Sequence, residues 1–204
     1  ILWTGMWGTA PATLDIEGVL TVGVGILDTA VAQVIPLNES LKNMVIKKVV
    51  LTAPVALPAD VPGLFESTSH GGTVPSELEE IVGLTYLNTS QATTMNRMFY
   101  GFRGSSLDLS NFDSSRVISS LGAGMNEFLG NALYLKELKL GSNFSFVGWN
   151  NSPINPYPVN LSEPSDMYGF HSSYYTGYWQ SVGTGTVDAP YGDYVYSSKD
   201  LVSS

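Results

Sequence analysis

The chain has 204 residues, long enough to bury roughly 70% of the surface its unfolded form would expose. It contains no cysteine, which rules out a disulfide framework, a thiolate nucleophile, a zinc finger and an iron–sulfur cluster together. Nine Lys and Arg against 18 Asp and Glu leave a net charge of -9, a field that repels nucleic acid and anionic lipid. Only 13% of the residues are charged, while 21 glycines, 11 prolines and 11 tyrosines accompany 44% hydrophobics, the balance of a β-rich, turn-rich globular protein. The most apolar stretches, 18–27 and 45–57, fall short of the about 20 residues that span a bilayer, so no membrane insertion is expected of this segment. No basic residue precedes an apolar run at the start, and an opening at Ile1-Leu2-Trp3 reads as a piece excised from a longer protein.

From Leu14 to Ile26 the apolar positions Leu14, Ile16, Val19-Leu20, Val22, Val24 and Ile26, with Gly18, Gly23 and Gly25 between, approximate a period of two with a turn at Glu17-Gly18, which predicts a strand pair. Met44 to Leu51 predicts a further β-branched strand, closed off by Pro54, Pro58 and Pro62. The middle of the chain then repeats itself. Leu87-Asn88-Thr89-Ser90 is matched by Phe112-Asp113-Ser114-Ser115, and Met95-Asn96-Arg97-Met98-Phe99-Tyr100-Gly101 is echoed by Met125-Asn126-Glu127-Phe128-Leu129-Gly130. Taking Phe99 as the counterpart of Phe128 places about four inserted residues near 121–124. Leu107-Asp108-Leu109-Ser110-Asn111-Phe112 recurs as Leu138-Lys139-Leu140-Gly141-Ser142-Asn143-Phe144, one glycine longer, and Ile81-Val82-Gly83 is a degenerate earlier copy.

A unit of this length with the form Leu-x-Leu followed by Asn-Phe suits a solenoid, in which each coil's short strand bonds to the next coil and no coil buries its face alone. Stacking would align Phe65, Phe99 and Phe128 in one apolar column and Leu87, Phe112 and Phe144 in another. The spacing of Met95, Met98 and Phe99 predicts a short helical turn on the opposite wall of the coil. Beyond Phe146 the chain is crowded with Asn, Ser, Gly and aromatics, which predicts an irregular excursion and then strands near 178–187 and 192–196 that close the solenoid's open end.

The strings Leu107 to Val117 and Asn88 to Gly101 closely resemble the repeat of the BspA-like leucine-rich repeat surface proteins, and the segments around Trp7-Gly8-Thr9 and Pro190-Tyr191-Gly192 resemble the modules that flank those repeats in lactobacillus-type members. Three places depart from the pattern: Phe102 stands in place of the usual Cys or Ser, the second Met-x-x-Met-Phe is reduced to Met125-x-x-Phe128, and Gly83 stands in place of an inward Leu. The resemblance implies an α/β leucine-rich-repeat-like right-handed solenoid of short parallel strands and short helical turns, with β-rich caps at both ends. The corresponding segments are an N-terminal cap over 1–41, the solenoid over 42–146 and an aromatic-rich β cap over 147–204. It further implies a secreted or wall-anchored Gram-positive surface protein that adheres to host matrix, mucus or cells, with no catalytic residues.

The residues themselves lead to the same expectation of no enzyme. His70 and His171 sit far apart in Gly-, Ser- and Tyr-rich stretches, the pairs Glu79-Glu80 and Asp108 with Asp113 follow the repeat edge, and Gly183-Thr184-Gly185 lacks the lysine and helix of a phosphate loop. No metal, cofactor or nucleic-acid partner is expected. Two surfaces are candidates for binding. One is an outward row of Val50, Val82, Asp108 and Lys139 on the stacked strands, and the other is the aromatic set Tyr174, Tyr175 and Trp179, whose rings offer contact area at little entropic cost. The expected partner is a host extracellular-matrix protein, a mucin or a glycan. The alternatives are a spacer that holds another adhesive domain off the wall, and a carbohydrate-binding domain.

Overall fold

The computed structural model of the chain describes residues 1–118, 124–147, 178–186 and 190–201. It is a β-solenoid of about four turns with little helix. Each coil has three walls, and backbone hydrogen bonds between successive coils run along them in separate ladders.

The first wall is a five-stranded sheet in the order β1 (Trp3–Trp7), β2 (Ala10–Leu14), β3 (Val19–Val22), β5 (Ile46–Leu51), β7 (Ser76–Val82). The first three strands are antiparallel neighbours, whereas β3, β5 and β7 run parallel, as coils stacked in one direction must. The strand pair turns where expected but is placed earlier: β2 ends at Leu14 and β3 at Val22, so Ile16, Val24 and Ile26 fall outside it and are exposed, and in the turn Asp15 Oδ1 accepts the N–H groups of Glu17 and Val19, each at 2.9 Å. Alternation sets the inner face. Leu14, Leu20 and Val49 lie in one paired row and are buried, while the adjoining row of Thr13, Thr21 and Val50 faces outward. The second wall stacks β4 (Gly25–Ile26), β6 (Val55–Ala56) and β8 (Leu87–Asn88) in parallel.

The third wall differs from the expected helical turn. Residues 95–101 and 125–131 form strings of tight turns, with Arg97, Gly101, Glu127 and Asn131 at positive φ, a geometry that breaks any helix. The N–H groups a helix would use internally are given to the next coil instead. Met95 donates to Gly124 O, Arg97 to Asn126 O, Phe99 to Phe128 O and Gly101 to Gly130 O, at 2.7–2.9 Å. The earlier coil does the same, Gly63, Phe65 and Ser67 donating to Asn96, Met98 and Tyr100. Because the left-handed positions Arg97 and Glu127 coincide, the units align at 97 and 127, 30 residues apart. Phe99 is thus the counterpart of Leu129, and Phe128 that of Met98, a slip of one residue from the sequence alignment.

The core runs the length of the stack as a chain of rings. Trp7 plugs the first coil, edge-on to Phe65 at 5.9 Å between centroids, with its indole N–H donating to Thr29 O at 2.8 Å. Phe65 stacks on Phe99 at 5.7 Å, and Phe99 meets Phe128 at 5.3 Å, as the predicted first column requires. The second column merges into it: Phe112 lies 6.0 Å from Phe99 and Phe144 lies 5.8 Å from Phe128. Phe102, the residue replacing Cys or Ser in the repeat, is buried in the same core. Two further strands, β9 (Ser106–Leu109) and β10 (Glu137–Leu140), pair in parallel with Leu107 opposite Leu138, which is the predicted repeat register.

The first wall is interrupted between β7 and β9, which lie in different sheets. Gly83 is the cause. Its φ of +80° turns the chain out of β7 into a 3₁₀ turn at Leu84–Tyr86, and a Cβ there would stand 2.3 Å from Leu51 O. Asn111 of the next coil docks on this turn, its side-chain amide donating to the carbonyls of Leu84, Thr85 and Leu87 at 3.1–3.2 Å. At the C-terminal end β11 (Trp179–Gln180) pairs antiparallel with β12 (Val195–Tyr196), followed by a single helical turn α1 (Ser198–Leu201).

Candidate functional site

The predicted outward row divides into two pairs. Val50 lies opposite Val82 on β5 and β7, and Asp108 lies opposite Lys139 on β9 and β10, so the row crosses the interruption at Gly83. Val82 is 39% exposed. Beside this pair, Lys48 Nζ bonds Glu80 Oε2 at 2.6 Å across the same two strands. Asp108 and Lys139 are both exposed and bond each other at 2.9 Å, which neutralises the pair. The Asp108 carboxylate is held below its ordinary range, first by the Ser110 side chain and then by Lys139. Along this row the charges of Lys48, Glu80, Asp108 and Lys139 are thus tied in two cross-strand pairs.

Of the aromatic set, Tyr174 and Tyr175 lie outside the described residues. Trp179 is half-buried on β11 and packs against the hydrophobic core, together with Leu201 of α1. Around it Tyr178, Tyr191 and Tyr194 remain exposed, and the Tyr194 and Tyr196 rings stack at 6.3 Å. The aromatic composition of this region therefore serves two ends, one ring on the core and several toward solvent.

Two constellations were not read from the sequence. On the third wall, Glu66, Arg97 and Glu127 form a charge ladder across three coils. Arg97 Nε donates to Glu66 Oε2 at 3.0 Å and Nη1 to Glu127 Oε2, while its guanidinium covers the Tyr100 ring at 3.7 Å. Burial works to lower the Arg97 pKa, but the bonds to the two carboxylates outweigh it and raise it above the ordinary value. Glu66 is buried, and its other oxygen lies 3.3 Å from His70 Nε2, which places one of the two histidines beside this ladder. The signal was present in the repeat, since Arg97 and Glu127 occupy equivalent positions with opposite charge.

The second constellation lies at the corner after β9. Asp113 Oδ1 accepts the Ser115 N–H at 2.9 Å, the counterpart of Asn88 Oδ1 accepting from Ser90 one coil earlier. The next residue in each unit points inward. Thr89 Oγ1 donates to Asp113 O and accepts the Asp113 N–H, and Ser114 Oγ donates to Ser145 O and accepts the Ser145 N–H. These buried hydroxyls satisfy backbone groups that the strand ladders leave free. Between this corner and the next coil lies an open groove of about 410 Å³, lined by Asp113, Ser115, Ser142, Asn143, Phe144 and Ser145.

Among the described residues no group of three His, Asp or Glu side chains gathers to hold a metal ion, and no helix is long and apolar enough to cross a membrane. Comparisons with protein-family models, with curated proteins and with solved structures found no match for this chain.

Proposed function

We propose that this chain is a non-catalytic adhesion module of a bacterial cell-surface protein, secreted or wall-anchored, that binds a host matrix protein, a mucin or a glycan. The reading rests on the repeat strings Leu107 to Val117 and Asn88 to Gly101, which resemble those of the BspA-like surface proteins. What supports it is that these strings lie in successive coils, with Phe99 against Phe112 and the Thr89 hydroxyl bonded to the Asp113 backbone. Stacked coils present outward residues in rows, and such rows are how repeat proteins build broad binding surfaces without a catalytic cleft. The test is saturable retention of the chain on immobilised matrix proteins and mucin. Retention no greater than that of a variant with the outward row scrambled refutes it.

A second reading, a spacer that carries another adhesive domain, is favoured by the ion-pair ladder Glu66–Arg97–Glu127 and the ring chain from Trp7 to Phe144, both of which tie coils along the axis. It predicts that a full-length parent binds these ligands while this segment alone does not.

A further inference from the structure

The groove beside Asp113 carries an inference that rests on the adhesion reading and narrows its ligand. We propose that it is a binding site for a neutral sugar ring of a glycan. It lies where the second Leu-x-Leu unit, one residue longer than the first, turns away from its strand. Gly141 follows Leu140 in register opposite Ser110, so closely that a Cβ would lie 1.9 Å from its carbonyl oxygen, and the next residues, Ser142 and Asn143, are exposed. The two lips of the groove are held together by Ser114, whose N–H donates to Asn143 O at 3.1 Å and whose hydroxyl bonds both backbone groups of Ser145 at 2.9 Å. The cleft is therefore preformed, and a ligand need not order it.

Its chemistry is that of a small polar ligand with one apolar face. Phe144 is half-buried, backed by Phe128 and by Phe146 at 5.1 Å, and lines the groove with an aromatic surface held in place from behind. Around it stand the Asn143 amide and the Ser142 and Ser145 hydroxyls, which make no side-chain hydrogen bond to any described residue, and the Asp113 carboxylate, which has acceptor capacity left beyond Ser115. A pyranose offers a matching pattern of hydroxyls around a face of C–H groups. The volume lies within the roughly 300–1,000 Å³ of small-molecule sites. Hydrogen bonds from the Ser115 side chain and backbone hold the Asp113 carboxyl below its ordinary range, so the rim is negative at neutral pH within a chain of net charge -9. A sialylated or sulfated sugar is repelled, and a neutral hexose or N-acetylhexosamine is selected.

The test is binding of the whole chain to neutral oligosaccharides and to their sialylated and sulfated counterparts, by calorimetry or glycan array. The variants are Asn143→Ala, which keeps the backbone carbonyl that Ser114 uses, and Asp113→Ala, with thermal melting to confirm folding. The expected result is saturable binding of the neutral set, weakened about tenfold by Asn143→Ala, as loss of one hydrogen bond predicts. Binding confined to acidic glycans, binding unchanged in both variants, or no glycan binding overturns the proposal. Retention on matrix proteins, measured on the same variants, separates the two readings: if it persists while no glycan binds, the groove assignment fails and the adhesion module stands.

Discussion

Replacing Phe99 with alanine tests the stacked core where it is most connected. The side chain is fully buried and touches three rings from other units, Phe65 at 5.7 Å, Phe112 at 6.0 Å and Phe128 at 5.3 Å. Truncating a buried Phe costs about 3–5 kcal/mol in transfer and cavity terms, and each aromatic pair adds roughly 0.5–1.5 kcal/mol beyond its buried area. The upper half of the range, about 4 kcal/mol, is therefore expected. Against a total stability of about 5–15 kcal/mol this is a large fraction. With a urea slope of about 2–3 kcal/mol/M, the midpoint falls by roughly 1.3–2 M. Phe99 faces the coil before it and the coil after it, so its loss weakens two interfaces at once, and the unfolding transition broadens as the flanking coils uncouple. The assay is urea unfolding followed by tryptophan fluorescence and far-ultraviolet circular dichroism, with exposed Tyr134→Ala as the control, expected within about 0.5 kcal/mol of the parent. A Phe99→Ala loss below about 1 kcal/mol, or one equal to that of Tyr134→Ala, refutes a shared dry interior running through the coils.

Two glycines at similar φ separate backbone strain from steric collision. Gly83→Ala forces a left-handed alanine whose Cβ meets Leu51 O, whereas Gly72→Ala, at φ +83°, finds nothing within 4 Å. The first is expected to cost more than about 2 kcal/mol and the second about 1 kcal/mol, read by thermal or urea unfolding; equal losses refute the assignment of Gly83 as the strand-ending contact. The acid limb of stability is the remaining prediction. Asp108 has its folded pKa depressed, so its contribution is complete above the unfolded carboxylate value near 4 and is lost as pH falls through the folded value below that. Asp108→Asn should therefore flatten the stability profile below about pH 4 and leave its shape between pH 5 and 7 unchanged, and a change confined to the neutral range contradicts it.

The repeat was legible because a solenoid requires the same inward residue at the same place in every coil. Leu107 and Leu138 declared their pairing through Leu-x-Leu followed by Asn-Phe, and Asn111 marked the turn that its amide now crosses. The third wall was not legible in the same way. A spacing of three and four at Met95, Met98 and Phe99 serves a helix or a chain of tight turns equally well, and what decides is where the N–H groups go. Here they go to the next coil, and that coil must be present before the left-handed Arg97 and Glu127 can be held. The alignment of Phe99 with Phe128 failed by one residue for the same reason, since their rings do touch while the backbone register belongs to the turns.

Composition and periodicity alone determined that this chain folds without a staple, that its strands alternate and that its middle stacks upon itself, because those properties depend on which residues are apolar and how often they recur. The tertiary structure alone decided that β7 gives way at Gly83 to a turn packed on Leu51, that Glu66, Arg97 and Glu127 meet across three coils, and that a groove lies between Asp113 and Ser145. Each of these depends on contact between residues about 30 or more positions apart, and such contacts exist only after the coils have closed on one another.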